Sequence, residues 1–138
     1  MFRIELLGWE RARALAMPIR FAVFVQEQGV PAEIEIDEFD AQSIHALVFH
    51  GGEAIGTGRL LPDGHIGRMA VLRQWRSKGV GSLLLHRLID AARNRGDNCV
   101  VLSAQVHALP FYRARGFEAE GPVYEEAGIA HQGMRRAL

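Results

Sequence analysis

Apolar and polar residues follow two different periods along this chain, and each period predicts elements. Residues 2–7 alternate as a strand does, and Gly8 closes them. Residues 9–17 permit a helix. Pro18 suits the first turn of a second helix through about Gln28, with Ile19, Phe21, Ala22, Phe24 and Val25 as its apolar face and Gly29 and Pro31 ending it. Strand patterning resumes at residues 44–50, turns at Gly51-Gly52, and continues over 53–61. Pro62-Asp63-Gly64 makes the next turn, into a strand over 66–71. Leu83, Leu84, Leu88, Ala91 and Ala92 then recur at helical spacing, with Gly96 just past them as a left-handed stop. Residues 98–104 are a continuous apolar run, which predicts a strand buried on both faces. It should lie parallel to strand 66–71, since a helix joins the two. A short helix over 108–115 stops at Gly116, and strands 117–123 and 129–136 close the chain around an acidic turn at Glu125-Glu126.

The resulting order, β-α-α-β-β-β-α-β-α-β-β, is that of an α/β chain whose mixed sheet carries helices on both faces. A length of 138 residues predicts one domain, 1–138. The formal net charge of zero gives a polyanion nothing to be drawn to, so no nucleic-acid partner is expected. Cys99 is the single cysteine, which excludes an internal disulfide and a cysteine-based zinc cluster; the histidines share no ligand spacing, so no metal is expected. Without a signal-like start or an apolar run near the ~20 residues of a membrane span, the expected location is the cytoplasm, away from membranes.

Charge is sorted along the chain even though its sum vanishes. Glu33, Glu35, Asp37, Glu38 and Asp40 crowd residues 32–42, a predicted loop. The only lysine, Lys78, falls with Arg76 in the glycine-containing loop Arg76-Ser77-Lys78-Gly79-Val80-Gly81-Ser82, between strand 66–71 and the long helix. Free N–H groups at a helix start, glycines and positive charge together make an anion site. It is no Walker loop, which needs Lys and Ser or Thr directly after its second glycine, and no dinucleotide fingerprint, because Leu84 stands where the third glycine belongs.

The spacing Arg76-x-x-Gly79-x-Gly81, opening a helix after Met69-Ala70-Val71, resembles the pyrophosphate loop of the GNAT N-acetyltransferase family. Leu109-Pro110-Phe111-Tyr112-Arg113-Ala114-Arg115-Gly116-Phe117 is similar to that family's Phe-Tyr-x-x-x-Gly-Phe segment, and Gln105 precedes it where many members carry Asn or Gln. The stretch from Arg20 to Gly29, the acidic segment with Ser43-Ile44-His45, and the ending from Tyr124 to His131 look like the ElaA-type branch. The resemblance spans the chain. It implies the GNAT acyl-CoA acyltransferase fold, a mostly antiparallel central sheet with one parallel crossover.

The implied activity is transfer of an acetyl group from acetyl-CoA directly to a primary amine of a small molecule or peptide. The alternatives are acyl-homoserine lactone synthesis, for which the chain is short, and a CoA-binding domain without catalysis. The resemblance further implies that N–H groups of Ser77, Lys78, Gly79, Val80, Gly81 and Ser82 bind pyrophosphate, with charge from Arg76 and Lys78. Met69, Ala70 and Val71 line the pantetheine arm, the Val71 N–H reaches the thioester oxygen, and Gln105 helps hold the cosubstrate. Tyr112 protonates the leaving thiolate. On the acceptor side Glu27, Gln28, Glu33, Glu35, Glu125 and His131 are expected, with Glu27, Glu33, Glu125, His107, His131 and a water chain all open as the base. The acidic segment predicts a cationic acceptor. Both a monomer and a homodimer are compatible with the sequence.

Overall fold

The structure is a computed structural model that describes residues 1–138, the side chain of Ile34 excepted. Seven strands form one sheet in the order β1-β2-β3-β4-β5-β7-β6. They are β1 (Arg3–Leu7), β2 (Ile44–His50), β3 (Glu53–Leu60), β4 (His65–Val71), β5 (Cys99–Gln105), β6 (Glu118–Glu126) and β7 (Ile129–Ala137). Every neighbouring pair is antiparallel except β4 and β5. Helix α1 (Trp9–Arg20) lies toward one face, α3 (Val80–Asn94) and α4 (Leu109–Arg113) toward the other, and the short α2 (Ala32–Glu35) packs by the segment that follows α1.

The α3 face holds the larger core. Leu84, Leu85, Leu88 and Ile89 are buried against Val48, Ile55, Leu60, Val100 and Leu102. Burying each such side chain contributes about 1.5–3 kcal/mol. Leu83, expected on this face, is instead 40% exposed, because the packed stripe runs through 80, 84, 85, 88 and 92. Gly56 and Gly58 let α3 sit close on β3: a Cβ at Gly56 would stand 2.8 Å from the Val80 Cγ1, and one at Gly58 3.0 Å from the Leu88 Cδ1. The helix ends as its pattern predicts. Gly96 takes φ 95°, its N–H donates to the Arg93 carbonyl, and the Asp97 N–H donates to that of Ala92.

Pro18 does not start a second helix; it lies inside α1. Ala12, Ala16, Ile19 and Val23 form one buried stripe against Leu47 and Phe49, and that continuous packing offsets the ~3 kcal/mol a helical proline costs. Beyond Arg20 the helix widens into a π-helical segment, Phe21–Glu27, which ends with the Gln28 N–H on the Val23 carbonyl and the Val30 N–H on that of Phe24.

Strand β5 is buried on one face only, contrary to its run of apolar residues. Val100, Leu102 and Ala104 are covered by the α3 layer, while Ser103 is exposed. The α1 layer packs on β1 to β4, so the opposite side of β5, β7 and β6 carries no helix. The closing turn is Ala127-Gly128, with φ 53° and 77°, and Glu125-Glu126 belong to the end of β6.

Candidate active site

The site arises where the parallel pair fails. Strands β4 and β5 pair only at His65↔Val101 and Ile66↔Leu102, and beyond that they part. The β5-facing edge of Gly67 to Val71 is therefore left open. The Leu72 N–H donates to the Ile55 carbonyl at 3.0 Å, so alternation turns the Val71 N–H away from β3 and into the gap. A bulge adds to the parting. Gly58 of β3 faces two residues of β4, Arg68 and Met69, and Arg68 takes φ 47°. A non-glycine residue there is strained, and nothing in the spacing of strand 66–71 signals it.

The gap opens into a cleft of about 840 Å³ that runs through the sheet. On the α3–α4 side it is walled by Met69, Gly81, Phe111 and Tyr112. Burial raises the Tyr112 phenol above its ordinary pKa, so the hydroxyl keeps its proton, and it points at the Met69 sulfur 3.9 Å away. At the mouth, Gln105 donates to Gln28 at 3.0 Å, which ties the end of β5 to the end of the π-helical segment. These two residues, expected in different halves of the site, meet.

The loop before α3 has the shape of an anion cradle. Ser77 and Gly79 take φ 62° and 84°, and Gly79 has open space where a Cβ would stand. Helix geometry leaves the N–H groups of Val80, Gly81 and Ser82 without intrahelical acceptors. The Val80 side chain itself is buried, and Lys78 is exposed. A pyrophosphate on the loop and an extended arm against the open β4 edge fit this arrangement.

Arg76 does not face that loop. It donates from Nε to the Val71 carbonyl and from both terminal nitrogens to the Glu27 carboxylate, at 2.8 and 2.9 Å. The pair braces the π-helical segment against the end of β4. Those hydrogen bonds hold the Glu27 carboxyl below its usual range, which makes it a poor base. Arg115 stands beside the loop instead, with Nε 3.3 Å from the Ser82 hydroxyl and its guanidinium over the Phe111 ring. Only the fold brings it there.

The acidic segment folds inward rather than presenting charge to a ligand. Arg20, 1% exposed, donates to the Glu35 carboxylate and, at 2.8 and 3.1 Å, to Asp40. Arg59 donates to Asp37 at 2.7 and 2.9 Å and to Asp40 at 2.9 Å, while Arg68 reaches Asp37 at 3.2 Å. Three carboxylates thus meet three guanidiniums. Burial works against ionising Asp37 and Asp40, but the arginine hydrogen bonds and charges outweigh it and hold both carboxyls low. Burial, with the Arg20 and Arg59 charges, likewise keeps His45 neutral, and its Nε2 lies 2.9 Å from the Asp40 carbonyl. Glu35 lines the cleft but is neutralised; Glu33 is exposed outside it.

On the side without a helix, β7 and β6 supply the wall. His131 is buried beside Gln105, its register partner. Its Nδ1 lies 2.7 Å from the Ile129 carbonyl, and the Tyr124 ring stacks on it at 6.1 Å. Tyr124 shares a hydrogen bond with Ser103. Glu126, two residues beyond Tyr124 on the same face, lines the cleft, whereas Glu125 points to the other side. No pattern in the sequence separates Glu126 from Glu125 as the one that faces the cleft. Arg59 and Arg68, charges within largely apolar strands, were the signal of the arginine network.

The family profile described as an acetyltransferase (GNAT) domain matches residues 15–138. The chain belongs to the GNAT acetyltransferase family. It is 39% identical over 125 residues to the uncharacterized N-acetyltransferase YjcF of Bacillus subtilis, covering 88% of this chain and 89% of the other. Among solved structures, an acyl-CoA N-acyltransferase from Pseudomonas aeruginosa superposes with a TM-score of 0.89 at 31% identity, over 99% of this chain and 100% of the other. Escherichia coli ElaA does so with a TM-score of 0.87 at 31% identity, over 99% of both chains. This GNAT chain is accordingly an acyltransferase that takes its acyl group from an acyl-CoA cosubstrate. Among the described residues no group of three His, Cys, Asp or Glu is placed to hold a metal ion, and no helix is long and apolar enough to cross a membrane.

Proposed function

We propose that this acyltransferase is an acetyl-CoA-dependent N-acetyltransferase of the cytoplasm, one domain over residues 1–138, that acylates a primary amine of a small molecule or peptide. The observation that carries the reading is the parted β4–β5 pair, with an open strand edge leading from a helix-start cradle to a protonated tyrosine. In this reading the N–H groups of Ser77 to Ser82 hold the pyrophosphate, aided by Lys78 and Arg115. The edge of Met69, Ala70 and Val71 pairs with the pantetheine amides as an added strand would. The Val71 N–H stabilises the oxyanion, an interaction whose loss costs about 10²–10³ in rate in comparable sites. Tyr112 supplies the proton that lets the thiolate leave, which its raised pKa permits at neutral pH. Gln105 and Gln28 set the width of the mouth through their shared hydrogen bond. The arginine-bound Glu35 shapes the acceptor half instead of binding a cation.

Thiol release from acetyl-CoA, followed across a panel of primary amines with mass spectrometry of the products, tests the reading. The expected result is amine-dependent CoA release with an N-acetyl product. CoA release that no amine accelerates would remove it.

A further inference from the structure

We propose that His131 is the general base of the transfer, and that His131 and Glu126 together clamp the acceptor's ammonium; this rests on the amine acetylation reading above. A carbonyl oxygen can only accept, so the 2.7 Å contact between the His131 Nδ1 and the Ile129 carbonyl places a proton on Nδ1. In the neutral ring the lone pair is then on Nε2. That nitrogen faces the Glu126 carboxylate at 3.7 Å, too far for a hydrogen bond between them. Two acceptors thus face each other on the wall of the cleft. A primary ammonium, with three N–H donors, satisfies both at once.

The other carboxylates near the cleft are committed: Glu27 to Arg76, and Glu35 and Asp37 to the arginine network. With one carboxylate at the clamp and the exposed Phe39 ring lining the same cleft, the structure assigns a monocationic primary amine with an apolar body, rather than a polyamine.

The step balances without a further reagent. The ammonium gives one proton to Nε2, and the resulting imidazolium is held by the Ile129 carbonyl and the Glu126 carboxylate. The freed nitrogen pair forms the C–N bond, the C–S bond breaks with its pair on sulfur, and Tyr112 protonates the thiolate. The nitrogen loses its second proton to solvent, which restores the phenol and takes the imidazolium proton. One ammonium and one thioester become one amide, one thiol and one proton.

The polar groups facing His131 are Glu126 and Tyr124 from β6, and His107 lines the same cleft. The test uses n-butylamine, whose ammonium is what the clamp reads. His131→Gln should lower kcat by about 10²–10³, leave the acetyl-CoA KM within about twofold, and abolish the acidic limb of kcat/KM against pH. Glu126→Gln should raise the butylamine KM about tenfold with a smaller change in kcat. Nitrogen-15 imidazole spectra of the wild-type chain should show the proton on Nδ1 of His131 and an Nε2 signal that butylamine shifts, a shift that Glu126→Gln weakens. A retained acidic limb in His131→Gln, a proton found on Nε2, or an Nε2 signal blind to butylamine would overturn the assignment. If no amine draws CoA release from the wild type, the acetylation reading falls by itself, and the imidazole spectra still decide the clamp.

Discussion

In the proposed function, Tyr112 gives the cosubstrate half its one transferred proton. Burial raises its pKa, and its ring packs edge-on against Phe111 at 5.1 Å and Phe117 at 5.9 Å. Tyr112→Phe keeps that packing and deletes the proton. Turnover should fall about 10²–10⁴-fold, with the melting temperature unchanged, in a paired kinetic and thermal measurement. A drop within about twofold would show that the thiolate leaves unaided. Tyr112 was singled out in the sequence through the resemblance of its segment to the family's Phe-Tyr-x-x-x-Gly-Phe stretch, and its place on the cleft wall comes from the fold. Glu126 was not, since which of two adjacent glutamates faces the cleft depends on the register of β6 against β7. Arg76 was read as a phosphate ligand from its place in the loop. Its partner Glu27, 49 residues earlier, is what turns it away.

Among the elements, the acidic segment departs furthest from its pattern. Five acidic residues within 32–42 read as a solvated or ligand-binding loop, yet three of them are locked onto Arg20, Arg59 and Arg68. Spacing along the chain cannot show such pairs, which join residues 15 to 31 positions apart. Removing one partner of a buried network leaves unpaired charge and costs about 3–5 kcal/mol. Arg20→Met should therefore lower the melting temperature by about 10–20 °C in calorimetry. A shift of only a degree or two would mean that water replaces the guanidinium.

The same cluster sets the response to acid. His45 has a lowered pKa in the fold, so the unfolded chain gains its proton first, and stability begins to fall as the pH drops below about 6.5. Asp37 and Asp40 also have lowered values. Their contribution is fully present above the unfolded value of about 3.9 and is lost as the pH falls through the lower folded ones. Melting temperature against pH should thus decline in two stages. His45→Gln should remove the first alone, and a single decline in the wild type that it leaves untouched would contradict this.

At the scale of the molecule, the break expected at Pro18 was misplaced, but the order of the strands and of helices α3 and α4 was legible because each of those elements carries its own period and its own stop. The parting of β4 from β5 was not, for it depends on a bulge at a non-glycine residue and on a helix layer that covers only half of one face. In the proposed function, that parting and the cradle at the start of α3 together hold the cosubstrate. Titrating CoA into the wild type, Gly79→Ala and Gly79→Glu by calorimetry tests this most directly. Gly79 sits at φ 84° with open space around it, so both variants incur the same backbone strain, and only the second adds a negative charge where the pyrophosphate is proposed to bind. CoA affinity should fall at least about tenfold further in Gly79→Glu than in Gly79→Ala, while both remain folded. Equal affinities for the two variants would place the pyrophosphate elsewhere and contradict the site described above.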